Sequence, residues 1–337
     1  MEKYETVIAG AGPAGLKAAE TLAKAGKQVL VLEQKEIIGD KVCAGGLTLK
    51  DFELGIPEKI VDRKFKKIIL HTPLQDVVIK DKDFFVATID RKVLGRWMAK
   101  QAEKAGAEIR TNTRVSKIGK NYVVAGKNKI NFKYLIGADG SNSIVRPFLG
   151  LKDKKVGIAM QYKTKKDFRN FEIFFDYDKF GPWYAWIFPH KGYTIIGTGG
   201  DPCLIKTTTF RKNLDKWCKG KFDMKKAEFQ AHTIRWGYRG HKFGNKFLVG
   251  DAAGFASALT GEGMCFAMLS GIDAARKIIS PRYKCRNIEH ILKVKGIEDR
   301  IAMHWEKHKL LTEVEWEIIM LLARSKLVDR EIINHLE

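Results

Sequence analysis

The sequence is poor in the features that mark several common protein classes. Its five cysteines, Cys43, Cys203, Cys218, Cys265 and Cys285, are odd in number and scattered, with no Cys-x-x-Cys pair. That excludes a zinc ribbon or a disulfide scaffold. The eight histidines form no metal-like cluster, so no metal is expected. No apolar run reaches the ~18 residues that a membrane-spanning helix needs. The first residues pass straight into a strand pattern, so no signal peptide is expected and a cytoplasmic location follows. There is no internal repeat and no low-complexity linker. Acidic residues are also in deficit, 39 against 61 lysines and arginines, for a net charge of +22. Such a field favours anionic partners: nucleic acid, phosphorylated metabolites or an anionic membrane surface. A lysine-rich proteome or a high-salt cytoplasm explains it equally well.

What is present fits a globular protein: 337 residues, 45% hydrophobic and 30% charged. That length holds one large domain or two closely joined ones. Residues 4–33, YETVIAGAGPAGLKAAETLAKAGKQVLVLE, read as strand, turn, helix and strand. Thr6–Ala9 and Gln28–Leu32 are apolar runs suited to buried parallel strands. Ala14, Leu16, Ala18, Ala19, Leu22 and Ala23 recur at helical spacing. Between them stand Gly10, Gly12 and Gly15, spaced Gly-x-Gly-x-x-Gly. Gly10 permits a tight turn, Gly12 lets the backbone approach a pyrophosphate, and Gly15 lets the helix sit close to the sheet. The helix N-terminus offers unpaired N–H groups to phosphate, and Glu33 closes the second strand where a carboxylate can bind ribose hydroxyls. Together these predict dinucleotide binding.

Further along, residues 36–48 form a glycine-rich loop around Cys43. Residues 65–88 alternate apolar and polar in short runs and are expected to be antiparallel strands lying over the ligand. Asp90–Ala105 reads as a helix capped by Asp90, residues 107–132 as three short strands, and Tyr134–Ala138 as another buried strand. Residues 155–200 read as a second sheet and 207–219 as a helix. Phe247–Asp251 reads as a buried strand ending in an acid, and Gly261–Lys277 as a helix. From about residue 285 the pattern is helical and charged. The expected class is α/β. A Rossmann-like first part (1–150, carrying inserted strands 65–88) is followed by a substrate-binding antiparallel sheet (151–235). A second part of the nucleotide-binding domain (236–280) and a helical C-terminal region (281–337) complete it.

Three glycine-acid signals lie in order: Gly10 to Glu33, then Gly137-Ala138-Asp139-Gly140-Ser141 followed by Arg146, then Leu248-Val249-Gly250-Asp251-Ala252-Ala253-Gly254. The set resembles the flavoprotein family that includes para-hydroxybenzoate hydroxylase, within the glutathione-reductase-like superfamily, over most of residues 1–280. The resemblance implies FAD. It also implies that Asp251 meets the ribityl chain and that Gly263 and Met264 contact the flavin ring through their backbone. Arg91 would contact FAD, and Val115 would meet the adenine side through its backbone. A helix N-terminus aimed at the ring stabilises negative charge on the reduced flavin.

A narrower resemblance rests on Tyr184, Trp186, Phe188 and Pro189, followed after seven residues by Gly197 and Gly199. This Tyr-x-Trp-x-Phe-Pro-x7-Gly-x-Gly pattern resembles the substrate signature of geranylgeranyl reductases. The segment VCAGGL at 42–47, with Cys43, Ala44 and Gly46, is similar to their segment near the flavin, Ala44 standing where glycine is usual. Thr260-Gly261-Glu262-Gly263 is similar to their bacterial and plant helix start, and Ala258 stands where many relatives have proline. Strand alternation puts the three aromatics on one face, able to wall a tunnel for an isoprenoid chain; from spacing alone a sheet core is the commoner reading.

The resemblance implies an FAD-dependent reductase of geranylgeranyl chains, in the first place on archaeal-type glycerophospholipids. Geranylgeranyl diphosphate or a chlorophyll-type ester would be the alternative substrate. Cys43 is the candidate catalytic residue, as a redox thiol facing Cys265, as a proton source or as part of the pocket wall. The implied partners are an isoprenoid lipid, ferredoxin or NAD(P)H as electron donor, and the inner membrane surface as a peripheral contact, but not nucleic acid. Aromatic monooxygenases and flavin halogenases share the scaffold. A halogenase would read Trp-x-Trp-x-Ile-Pro where this chain reads YAWIFP. A non-catalytic lipid-binding protein is the third class.

Overall fold

The computed structural model describes residues 2–152 and 155–324. Its centre is an eight-stranded sheet. Five strands run parallel in the spatial order Lys246–Leu248, Asn128–Gly137, Glu2–Ala9, Val29–Leu32 and Glu108–Arg110. Val29–Leu32 is apolar and buried along its length, while Glu2–Ala9 and Asn128–Gly137 become apolar and buried toward their carboxyl ends, where both faces are covered. The register decides the function. Ala9 pairs with Leu32 and with Gly137, and Gly137 pairs with Leu248. The glycine turn, Glu33, Asp139 and Asp251 therefore all leave the sheet from one carboxyl edge, the place where open α/β sheets bind ligands.

Helix Pro13–Lys24 begins with proline at its first turn and buries Leu16, Ala18, Ala19 and Leu22. It crosses helix Met264–Ile279 at very short range: a Cβ on Gly271 would fall 2.2 Å from the Ala14 carbonyl oxygen. Helix Arg91–Lys104 starts as expected, with Asp90 accepting from the Lys92 and Val93 amides.

Four expectations change in detail. Residues 107–132 hold the start of a fourth strand: Glu108–Arg110, Val115–Ile118 and Tyr122–Ala125 are followed by Asn128–Gly137, which runs unbroken through Tyr134. The strand at 247 ends at Leu248, and Gly250–Ala253 is a turn of helix that Gly254 closes in the left-handed conformation. The helix expected from Gly261 starts at Met264, with Gly263 as its N-cap. Segment 65–88 divides between two sheets. Strands Arg63–Phe65 and Val86–Thr88 join Gly46–Thr48 in a three-stranded sheet. The hairpin Lys67–His71 and Asp76–Lys80 instead extends the second large sheet, pairing parallel with Phe171–Phe175.

That second sheet has seven strands. From one edge it runs Glu228–Arg235, Val156–Thr164, Thr194–Gly200, Tyr184–Pro189 and Phe171–Phe175, and then takes in the hairpin. Helix Thr207–Cys218 covers one face through Phe210 and Leu214. Helices Arg286–Lys307 and Lys309–Arg324 close the described chain. The remainder of the expected helical region lies outside the described residues.

Candidate active site

At the sheet edge the three glycines of the first turn have three separate physical causes. Gly10 has φ +102°, and a Cβ there would meet the Ala138 carbonyl oxygen at 2.4 Å. A Cβ on Gly15 would lie 2.1 Å from the Gly10 carbonyl oxygen, so helix and turn touch backbone to backbone. Gly12 differs: a Cβ there would meet only the Ala138 oxygen, at 4.0 Å. The protein leaves that space open, as an approaching pyrophosphate requires. Glu33 accepts from the Ala11 amide at 2.8 Å and the Lys35 amide at 2.9 Å, which holds its carboxylate against the turn. The Glu33 carbonyl accepts from the Thr113 amide at 2.7 Å, which brings the chain leading into Val115 to the same corner.

The second and third motifs interlock. Ser141 donates to Asp251 Oδ2 at 3.0 Å, and Lys41 Nζ reaches the same oxygen at 2.9 Å. Burial would raise the Asp251 carboxyl, but Lys41, Ser141 and His232 outweigh it and hold the group below the usual carboxylate range. Burial in turn pushes His232 down to about 4, with Lys41 adding to the effect. Asp139 acts largely as a cap, its Oδ2 accepting from the Ile144 amide at 2.7 Å. Arg146 is buried and bonds the carbonyls of Ala252 and Gly237 at 2.8 and 3.1 Å, fixing the third motif.

Around Asp251 gather the groups expected at a flavin ring. A Cβ on Gly263 would lie 3.3 Å from Asp251 Oδ1. Arg91 Nη1 contacts the Met264 sulfur, which joins the starts of two helices. Arg91 is buried, and its Nε has no hydrogen-bond partner among the described residues. A buried guanidinium with an unspent donor fits a bound acceptor, and an open glycine cradle at a helix N-terminus fits a pyrophosphate. The residues present therefore fit FAD.

The aromatic strand faces this corner. Tyr184 and Trp186 ring centroids are 5.8 Å apart, and Trp186 and Phe188 6.2 Å. Phe188 stacks on Phe171 at 3.9 Å. The intervening Ala185 and Ile187 are buried, Ile187 packing with the cluster under helix Thr207–Cys218. Gly197 makes room for the indole: a Cβ there would lie 2.6 Å from Trp186 Cζ2. A Cβ on Gly199 would instead meet the Ile158 carbonyl oxygen of the neighbouring strand at 3.2 Å. The Tyr184 hydroxyl donates to the Thr260 carbonyl and the Trp183 indole to the Ala258 carbonyl at 3.2 Å, so the aromatic strand holds the loop before the ring-facing helix. Burial pushes the Tyr184 phenol well above its ordinary value, with Glu262 and Cys43 adding.

Cys43 is half-buried and Cys265 buried, and no disulfide joins them. The Cys43 loop is tied to the substrate sheet: the Gln161 side chain donates to the Cys43 carbonyl at 3.3 Å, and a Cβ on Gly46 would lie 3.2 Å from the Phe188 ring. The strongest tie has no counterpart among the sequence motifs. His190, directly after Pro189, is buried, with Nε2 2.9 Å from the Ala44 carbonyl and Nδ1 2.8 Å from Asp62 Oδ2. A carbonyl and a carboxylate only accept, so both bonds form together when both ring nitrogens carry protons. Stacking on Tyr193 at 4.5 Å fixes the ring plane. A polar residue ending an apolar strand was the available signal. His190→Gln can keep only part of this clamp. Turnover is expected to fall about tenfold while FAD stays bound. Equal turnover in the purified variant would show that the loop needs no clamp.

These features define an FAD-dependent oxidoreductase. Residues 3–180 match the FAD binding domain family. Within that class the chain belongs to the geranylgeranyl reductase family. It is 30% identical over 310 residues to the geranylgeranyl diphosphate reductase of Synechocystis sp., covering 81% of this chain and 74% of that one. It is 28% identical over 301 residues to the digeranylgeranylglycerophospholipid reductase of Methanocaldococcus jannaschii, covering 80% and 75%. A geranylgeranyl bacteriochlorophyll reductase-like protein from Thermoplasma acidophilum has the same fold, with TM-score 0.77, 21% identity and full coverage of both chains. No helix among the described residues is long and apolar enough to cross a membrane.

Proposed function

We propose that this FAD-dependent reductase saturates the isolated double bonds of geranylgeranyl chains carried by archaeal-type membrane glycerophospholipids, taking electrons from ferredoxin or NAD(P)H. The observation that carries the reading is the aromatic wall of Tyr184, Trp186 and Phe188, set against the Cys43 loop and the flavin corner. Gly10, Gly12, Ala14 and Gly15 would take the pyrophosphate and Glu33 the ribose, with Val115 at the adenine. Arg91 and Asp251 would hold the middle of the cofactor, and Ala44, Gly46, Gly263 and Met264 the ring. Pro189, Gly197 and Gly199 complete the aromatic wall.

Bound and reduced, FAD supplies hydride. An isolated alkene accepts hydride only if a proton reaches its other carbon, which places cation character on the more substituted one. The faces of Trp186 and Tyr184 stabilise that charge and exclude water. We assign the proton to Cys43 Sγ, since its loop is pinned at Cys43 and Ala44 and its thiol is half-exposed, within reach of water for reprotonation. Proton and hydride together add one hydrogen molecule across the bond. Cys43→Ser is expected to retain FAD and lose about a hundredfold in turnover. Undiminished turnover would move the proton source to water or the cofactor.

The rival reading is oxygen chemistry on the same scaffold. The test is to reduce the holoenzyme without oxygen and add digeranylgeranylglycerophospholipid in detergent. Return of the oxidised flavin spectrum under anaerobic conditions supports the reductase. A spectrum that stays bleached until oxygen enters would favour a monooxygenase.

A further inference from the structure

Helix Lys309–Arg324 has two apolar sides. One packs inward through Thr312, Trp316 and Met320. Trp316 lies 5.3 Å from Phe175, which lies 6.1 Å from Tyr184, so this side continues the aromatic wall of the site. The other side presents Leu310, Leu311, Val314, Ile318 and Leu321 at helical spacing, all exposed, Leu310 by 76%. Leu74, at the tip of the adjoining hairpin, is 83% exposed. It sits beside the helix because Glu317 accepts from Thr72 and Gln75 there, at 2.9 and 2.7 Å.

The three acids of this helix flank the apolar face, Glu313 half-buried and 4.0 Å from Lys309. Glu315 is bound by Trp305 and His304, and Glu317 by the hairpin. Beside it, helix Arg286–Lys307 exposes Lys293, Arg300 and Lys307 on one face with Ile297 and Met303. Apolar residues beside a row of cations suit an anionic lipid surface. A second copy packed two-fold on the same face would set Lys293, Arg300 and Lys307 toward the same cations of its partner.

We propose that this face, with Leu74, is a bilayer-docking surface set beside the aromatic wall. This deepens the phospholipid reading and rests on it for the cargo, but the docking itself is testable alone. FAD-loaded full-length protein is floated with vesicles of equal parts phosphatidylglycerol and phosphatidylcholine. The wild type is expected to float, and to float less with phosphatidylcholine alone. Leu310→Ser/Val314→Ser/Leu321→Ser should bind at least about tenfold more weakly while keeping its FAD and melting temperature. Lys293→Ser/Arg300→Ser/Lys307→Ser should lose only the preference for the anionic vesicles. A wild type that does not float, or a serine variant that floats as well as wild type, overturns the proposal. So does a wild-type dimer that the serine variant dissociates with vesicle binding unchanged. Wild-type protein that floats but reduces no lipid in detergent sinks the substrate reading and leaves the docking surface standing.

Discussion

Gly12→Val is expected to give a folded, colourless protein. Gly12 is the N-cap of the first helix, with φ −76° and ψ 176°, a conformation open to any side chain. A Cβ there meets only one protein atom, at 4.0 Å. The apoprotein should therefore melt close to wild type. The new isopropyl group would fill the space in which the helix N-terminus offers its amides to pyrophosphate. Affinity for FAD should fall at least about a thousandfold, on the order of 4 kcal/mol. Titration of apoprotein with FAD, followed by fluorescence quenching, reads this directly. Gly15→Val is the contrasting control. Its Cβ would lie 2.1 Å from the Gly10 carbonyl oxygen, so that variant should fail to fold. A yellow Gly12→Val protein would mean that the cofactor does not use this turn.

The second large effect is expected at Trp186. Its indole is buried between Tyr184 and Phe188 and lies over Gly197. Trp186→Leu keeps an apolar wall but removes the π-face. Loss of about 2 kcal/mol of cation stabilisation corresponds to about thirtyfold in the reductive step, with FAD affinity unchanged. Gly197→Ala is a less selective probe, since its Cβ would lie 2.6 Å from both Trp186 Cζ2 and the Met160 carbonyl oxygen. Single-turnover measurements of flavin reoxidation separate this step from product release. A Leu variant with wild-type single-turnover rate would reduce the aromatic face to packing.

The parts of this protein that the sequence made legible are those whose cause is local. The left-handed turn at Gly10, the helix start after Gly12 and the contact of Gly15 with the Gly10 carbonyl arise within one short stretch, although the close approach to Gly10 comes from Ala138, and strand alternation places Tyr184, Trp186 and Phe188 on one face. The parts that stayed hidden depend on distant partners. Lys41 meets Asp251 across 210 positions, and His190 meets Asp62 across 128. Neither pair leaves a periodic trace. The hairpin at Lys67–Lys80 read as strands, but its choice of the second sheet depends on a parallel pairing with Phe171–Phe175. Asp139 joins a sequence motif to a local structural task. It stands in a ligand-like motif, yet much of its bonding caps the short helix after it. The turn Gly250–Ala253 was masked because an apolar run before an acid looks the same whether the chain stays extended or coils.

Reducing equivalents from this protein are expected to end in the carbon–carbon double bonds of a geranylgeranyl chain. The most direct measurement is mass spectrometry of digeranylgeranylglycerophospholipid after anaerobic incubation with dithionite-reduced holoenzyme. The expected result is product masses rising by two units for each double bond, with Gly12→Val protein giving none. An unchanged lipid mass beside a fully FAD-loaded, reduced wild-type enzyme would contradict it.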